Sequence, residues 1–408
     1  MRILFFTHYY PPEVNAPASR TYEHCREWAK SGHDVTVVTC VPNHPAGKIY
    51  PGFRNRIYQS EMVEGVRIIR LLTIITANNG FLLRTLNYVF YMVAATFALP
   101  FLPKADIVVT TSPQFFCGLV GIPAKLLKRA PWVLEIRDLW PESIVTVGAM
   151  DKGAVIRFLE AVERFAYRKA DHIVAVTDSF VEHISQNGGA NKIDVIKNGV
   201  DLGLFHRGAD GDEVKRRYGF ERRFVSAYIG THGMAHGLDT IIDAAIMLRE
   251  DPRFGFLLVG DGSERQRLVE RAGSLKLDNL CIVGQLPKSD MPKVWAATDA
   301  SIILLRQNDA FKKVIPSKMF EAMAMECPII LGVEGEAAQL LADAGAGIAM
   351  KPESADELVA AVKRLAEDRE LGAHYGRSGA AHVREFYDRG KVAHRYLDLL
   401  TKIAKAKS

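Results

Sequence analysis

The residues best suited to chemistry lie in the run Ile315-Pro316-Ser317-Lys318-Met319-Phe320-Glu321-Ala322-Met323. Lys318 and Glu321 stand three apart, a spacing that puts both on one face of a helix. A lysine near a helix N-terminus adds a full positive charge to backbone N–H groups that already attract phosphate, and Ser317 adds a hydroxyl. A glutamate one turn on can accept hydrogen bonds from a sugar diol. The chemistry predicted is therefore the holding of a phosphorylated, hydroxyl-rich ligand such as a sugar nucleotide. An ordinary solvated Lys/Glu pair on a packing helix would show the same spacing.

Three other clusters follow predicted strands. Gly230-Thr231-His232-Gly233-Met234-Ala235-His236-Gly237 has two histidines four apart. On a helix they would form a metal pair, but Gly233 and Gly237 break the helix, so a phosphate-facing loop is expected and no metal site. Val259-Gly260-Asp261-Gly262-Ser263-Glu264 ends a strand with a tight glycine turn, without the last glycine of a full dinucleotide fingerprint because residue 265 is Arg. Glu135-Ile136-Arg137-Asp138-Leu139-Trp140-Pro141-Glu142 gathers acids, an Arg and a Trp at a strand's carboxyl end. Asp138 and Glu142 are candidates for orienting an acceptor hydroxyl and Arg137 for contacting the acceptor; a structural Arg137–Asp138 or Arg137–Glu135 pair is the alternative. Glu13, Asn15 and Arg20, in the loop after the first strand, are further acceptor-side candidates. Asp210-Gly211-Asp212 lies in a polar stretch and reads as surface.

These positions need a scaffold that lines up strand ends. Short β-branched runs alternate with helix-period stretches from Ile3 to Ile196, then restart at Val225, which predicts two α/β domains with parallel sheets. At 408 residues two domains are expected on length alone. The reading is an N-terminal Rossmann-like domain over 1–201, a linker region over 202–223, a C-terminal Rossmann-like domain over 224–388, and a C-terminal helix over 389–408 crossing back to the first domain. In such sheets ligands bind beyond the carboxyl ends of the strands, so the expected site faces a central cleft.

Net charge is +5, which argues against a dedicated nucleic-acid binder and suits an anionic substrate or membrane surface. Five scattered cysteines with no CxxC suggest neither a disulfide framework nor zinc, and fit a reducing cytoplasm. The nearly apolar run Phe81–Leu102, broken by Arg84 and Asn87, approaches the length of a membrane span. It is expected to pack within the fold with part of its surface touching lipid, placing the protein in the cytoplasm or peripherally at the inner face of the membrane.

Ile196-Lys197-Asn198-Gly199-Val200-Asp201, the Val259–Gly262 turn, and Lys318/Glu321 ahead of Cys327-Pro328-Ile329-Ile330 resemble the retaining GT-B glycosyltransferases of family 4. Within that family the Arg137–Ser143 and Pro316–Ala324 phrases resemble the bacterial surface-polysaccharide branch, including L-fucosamine transferases of O-antigen and capsule pathways. The resemblance implies a UDP-sugar donor, an N-acetylated amino sugar such as FucNAc or GlcNAc, no cofactor or required metal, and transfer with retention to a glycan or lipid-linked acceptor. It also implies that Glu321, the second acid of the family's E-x7-E pattern, contacts the ribose. The first acid is replaced by Lys313. The usual Arg and Lys after the first strand of the second domain are replaced by Thr231 or His232 and by His236. Lys318 is then the main charge facing the diphosphate, helped by Gly230 and Gly262 backbone and by the histidines if protonated. Two alternatives keep the fold: a UDP-sugar 2-epimerase, and a catalytically degenerate partner subunit.

Overall fold

The computed structural model describes residues 1–407 except 45–46, 76–80, 113–114 and 147–152; the side chains of 81, 82, 84 and 146 also lie outside the described part, so nothing is said of Arg84. The chain forms two compact units. One comprises Met1–Asn198 with Arg389–Ser408, and the other Gly199–Asp388.

The N-terminal unit has eight strands: β1 Arg2–Phe6, β2 Asp34–Cys40, β3 Tyr58–Val63, β4 Val66–Leu71, β5 Ile107–Thr111, β6 Trp132–Ile136, β7 His172–Ala175 and β8 Ile193–Val195. They lie in the order β3-β4-β2-β1-β5-β6-β7-β8, all parallel except the β3–β4 pair. The inner strands are β-branched runs buried throughout, as a sheet covered on both faces requires. β3 has no buried face, so its sequence lacks the alternation that marks a strand. It forms because Glu64 and Gly65, both with positive φ, close a two-residue hairpin onto β4.

The C-terminal unit has six parallel strands: β9 Phe224–Ile229, β10 Phe254–Val259, β11 Leu280–Val283, β12 Ala300–Leu304, β13 Ile329–Gly332 and β14 Gly347–Ala349. Their order is β11-β10-β9-β12-β13-β14. Each unit is thus doubly wound, with strand order reversing beside its first strand. The switch points lie between β1 and β5 and between β9 and β12, where a ligand crevice is expected.

The stretch 202–223, expected as a linker, belongs to the C-terminal unit. Its polar composition conceals three core anchors, Phe205, Val214 and Phe220, all buried. The final helix, Arg389–Ala406, packs in the N-terminal unit against the helix Ala16–Lys30. Trp28 donates through Nε1 to the Ala393 carbonyl at 2.9 Å, and Tyr396 meets the Trp28 ring edge-on at 5.3 Å.

The apolar segment becomes the helix Phe81–Ala98 and a short turn Leu99–Phe101. One side is core: Tyr91, Ala95 and Leu99 are inaccessible. Among the described residues no helix is long and apolar enough to cross a membrane.

Candidate active site

In the C-terminal unit, the loops after β9 and β10 are locked together by main-chain bonds. Gly230 N–H donates to the Val259 carbonyl at 2.9 Å, His232 N–H to the Asp261 carbonyl at 2.9 Å, and Glu264 N–H to the His232 carbonyl at 2.9 Å. The glycines make this approach possible. A Cβ on Gly262, whose φ is +159°, would lie 2.4 Å from the His232 carbonyl oxygen, and one on Gly230 would lie 2.8 Å from Lys318 Nζ.

Lys318 begins the helix Lys318–Ala324 and points toward that loop. This helix has only seven residues and Ser317 makes no side-chain cap, so the expected contribution of its N-terminus is small and the lysine itself supplies the charge. The Lys318 ammonium lies 3.7 Å from the centre of the Tyr228 ring, a cation–π contact. It is shielded from solvent and has no hydrogen-bond partner among the described residues. Burial pulls its pKa down to about 7, against a smaller opposing pull from Glu321. Burial therefore disfavours the charged form of the lysine.

His232 is completely buried, and neither ring nitrogen has a hydrogen-bond partner among the described residues. Burial, then the charges of Lys318 and Arg265, bring it down to about 4. Burial and Lys318 bring His236 to about 3, although its Nδ1 lies 3.3 Å from the Leu304 carbonyl. Burial therefore favours the neutral form of both rings near pH 7, so the condition under which they would share the charge, protonation, is disfavoured. Thr231 is exposed, and its carbonyl accepts from the Tyr228 hydroxyl at 2.8 Å.

Two contributors escaped the sequence reading. Tyr228 sits inside a strand and read as core. Arg265 registered only as the residue that spoils a glycine pattern, yet its Nε is buried without a hydrogen-bond partner among the described residues and its charge reaches His232. A cation one residue into the helix after a glycine turn was the signal. Lys318 and Arg265, whose charges both reach His232, and the main-chain turn at 230–232 supply positive charge and N–H donors of the kind a diphosphate takes.

The N-terminal unit treats its candidates differently. Arg20 is about 1% exposed and fully engaged: Nε and Nη2 donate to Glu135 at 3.1 and 3.0 Å, and the guanidinium also donates to the carbonyls of Ile196 and Lys197 and to Asn198. Burial would raise the Glu135 carboxyl, but Arg20 and Arg137 outweigh it and hold it below its usual range. Glu135 is thus paired with Arg20, not with its sequence neighbour Arg137. Glu13 is buried under the β1 loop, where it accepts from the Asn43 and His44 N–H groups, both at 2.9 Å. Burial still lifts it to about 7. Asn15 caps the helix Ala16–Lys30 by accepting from Ala18 N–H at 2.9 Å. Glu13 and Arg20 are engaged by main-chain and ion-pair bonds within the N-terminal unit, whereas the buried Nδ2 of Asn15 has no hydrogen-bond partner among the described residues.

Arg137 does have free capacity. Its Nε and Nη1 are buried without hydrogen-bond partners among the described residues, and burial takes it down to about 9. Asp138 lines an enclosed pocket with Phe115, Leu134, Trp140, Glu163 and Tyr167. Burial raises its carboxyl, offset by bonds from Ser143 and the Leu139 N–H. Glu142 lies 3.6 Å from His183, which also meets Glu163 at 3.0 Å. Asp210 accepts from the Asp212 N–H at 2.8 Å, a local turn on the surface. Among the described residues no three His, Cys, Asp or Glu side chains are grouped to hold a metal ion.

Two doubly wound units, one carrying diphosphate-suited groups at its switch point, define a GT-B glycosyltransferase. Residues 15–199 match the glycosyl transferase 4-like domain and residues 210–382 match glycosyl transferases group 1. The chain carries these two domains in tandem and is a glycosyltransferase. It is 25% identical, over 89% of its length and 92% of the relative's, to a putative colanic acid biosynthesis glycosyl transferase, WcaI, of Escherichia coli K12. It is 23% identical, over 62% of its length and 66% of the relative's, to the N,N'-diacetylbacillosaminyl-diphospho-undecaprenol alpha-1,3-N-acetylgalactosaminyltransferase of Campylobacter jejuni. In fold it is similar to sucrose-phosphate synthase from Thermosynechococcus elongatus (TM-score 0.79, 16% identity, 99% of both chains). It is also similar to Anabaena HepE in complex with UDP-glucose (TM-score 0.73, 17% identity, 98% of this chain and all of that one).

Proposed function

We propose that this glycosyltransferase moves an N-acetylated amino sugar, such as FucNAc or GlcNAc, from a UDP donor to a lipid-linked glycan in bacterial surface-polysaccharide synthesis, with retention at the anomeric carbon. The observation that carries the donor half is the buried, unpartnered Lys318 ammonium beside the Gly230–His232 turn. A departing nucleoside diphosphate needs positive charge in the transition state, and a preorganised, water-excluded cation supplies it. In this reading Lys318 and Arg265 face the diphosphate and Glu321 the ribose. Asp138 or Glu142 orients the acceptor hydroxyl. The UDP-bound HepE neighbour and the lipid-diphosphate named for the Campylobacter relative support the donor and acceptor classes.

Peripheral membrane contact belongs to the same reading. The helix Phe81–Ala98 and its following turn expose Leu83, Leu86, Val93, Phe97 and Phe101, the last two by 76% and 80%. The neighbouring helix Gly121–Lys128 adds exposed Leu126 and Leu127 and ends in Lys128 and Arg129. Apolar side chains beside basic ones suit an anionic bilayer surface.

The test is a panel of UDP-sugars offered with and without an undecaprenyl-diphosphate-linked sugar, read by product mass and by the anomeric configuration in NMR. Transfer with retention is expected. Conversion of the donor in the absence of acceptor would instead identify an epimerase. Sedimentation with anionic vesicles should weaken several-fold when Phe97 and Phe101 become Asp; equal binding would remove the membrane contact.

A further inference from the structure

Resting on the reading of the Lys318 site as the donor diphosphate site, we propose that donor binding is coupled to proton uptake: the Lys318 amine, seated on the Tyr228 ring with no hydrogen-bond acceptor among the described residues, takes a proton from solvent when the diphosphate enters.

The geometry carries the argument. An ammonium shielded from water keeps its proton when carboxylates or carbonyls replace its hydration. Here Nζ has no such acceptor among the described residues and rests on the π-face of Tyr228. A Cβ at Gly230 would lie 2.8 Å from Nζ, which is closed to a water molecule, so a ligand oxygen meets the ammonium only as the lysine or the turn shifts.

The groups around Nζ identify which one titrates. Tyr228 is held far above its usual range by burial and stays neutral. His232 and His236 are brought to about 4 and about 3 by burial and by the Lys318 charge, so they stay neutral near pH 7 and are not the groups that titrate there. Glu321, on the lysine's own helix, favours the charged lysine without cancelling burial. Behind His232 stand Arg265, which adds repulsion, and Asp261, which opposes it. Lys318, brought to about 7, is the group of this cluster that changes charge between pH 7 and 8. A diphosphate placed against it favours the charged form and draws in the proton.

The sign is fixed. Above about pH 7 the empty site lacks the proton that the filled site holds, so affinity falls with rising pH, approaching tenfold per unit. Below pH 7 Lys318 is already charged and contributes no further dependence.

Calorimetric titration of the full chain with UDP-glucose tests this. Its diphosphate diester has no group of its own titrating near pH 7. Binding at pH 7.5 is run in Hepes and in Tris, whose ionisation enthalpies differ, so the difference in observed heat counts the protons exchanged. Uptake of more than half a proton is expected, and it should vanish in Lys318→Met and in Lys318→Arg, whose guanidinium keeps its proton. Circular dichroism confirms that each variant is folded, and either one suffices. Binding without proton exchange overturns the inference and leaves the donor reading standing. So does uptake unchanged in a folded variant, or uptake that appears only below pH 6, where the histidines would be responsible. Absence of binding by UDP-glucose and by every other nucleoside-diphosphate sugar overturns the donor reading itself, and the inference with it.

Discussion

Both units bury a cation near the carboxyl ends of their strands, and the two could hardly be treated more differently. Arg20 donates to Glu135 and to three groups of residues 196–198, and Glu135 in turn accepts from Thr111 at 2.8 Å. Lys318 touches an aromatic ring and donates to nothing among the described residues. Desolvating a charge is costly in either place. In the N-terminal unit the cost is offset by internal acceptors, and the result is a rigid joint. In the C-terminal unit no acceptor among the described residues offsets it, and burial shifts the lysine toward its neutral form. Burial alone therefore does not mark a functional charge. Burial with unmet donors does.

The largest expected effect comes from breaking the satisfied side of the comparison. Arg20→Ala leaves the Glu135 carboxylate buried and unpaired and should cost roughly 3–5 kcal/mol of stability in the N-terminal unit. Urea unfolding followed by the fluorescence of Trp28 and Trp132 reads that unit. A loss below about 1 kcal/mol would mean that the Arg20 network does not hold the fold, and the contrast with Lys318 would collapse.

The next effect is kinetic. Lys318→Ala removes the cation that faces the leaving group, and by analogy with losing one preorganised electrostatic donor it should lower kcat/KM for the donor about 100- to 1,000-fold. Stability should move in the opposite direction from the Arg20 case. The Lys318 pKa is depressed on folding, so its penalty is fully felt below about pH 7 and fades as pH rises toward 10.5. Lys318→Met, which fills the same corridor without charge, should raise the melting temperature most at pH 6 and least at pH 10. A variant that loses activity and stability together would assign Lys318 a structural role.

The scaffold was legible because parallel strands buried on both faces, such as Val35–Thr39 and Val225–Ile229, announce themselves as β-branched runs. β3 was not, since a solvent-exposed edge strand needs no apolar alternation. Nor was the membership of residues 202–223 in the C-terminal unit, because three anchors among many polar residues do not shift composition. At the site, Lys318 and Glu321 were visible from spacing. For Glu13 and Arg20, sequence gives the residue's type and place in the chain but not who satisfies it. Asn43 and Glu135, the partners that decide the matter, are 30 and 115 residues away. Arg265 and Tyr228 were hidden for the same reason: what distinguishes them is a neighbour brought in by a different strand.

Arg265 sharpens the comparison, since it stands between the two extremes. It is half-buried, its Nε lacks a hydrogen-bond partner among the described residues, and it sits one residue into the helix that follows the Gly260–Gly262 turn. If unmet donors mark ligand contacts, Arg265→Gln should weaken UDP-glucose binding by about tenfold, the low end of what one charge-assisted hydrogen bond contributes. Because the rest of the guanidinium has access to water, little stability should change, unlike Arg20→Ala. Titration calorimetry and a melting curve on the same sample separate the two quantities. The variant should also relieve His232 of one of its two repelling cations, so the His232 ring titrates at higher pH than in the parent protein, a change that histidine NMR resolves. Weaker binding with an unmoved His232 would place Arg265 on the ligand but away from the ring. An unmoved affinity with a shifted His232 would make it a neighbour of the site and leave Lys318 as the cation that meets the diphosphate.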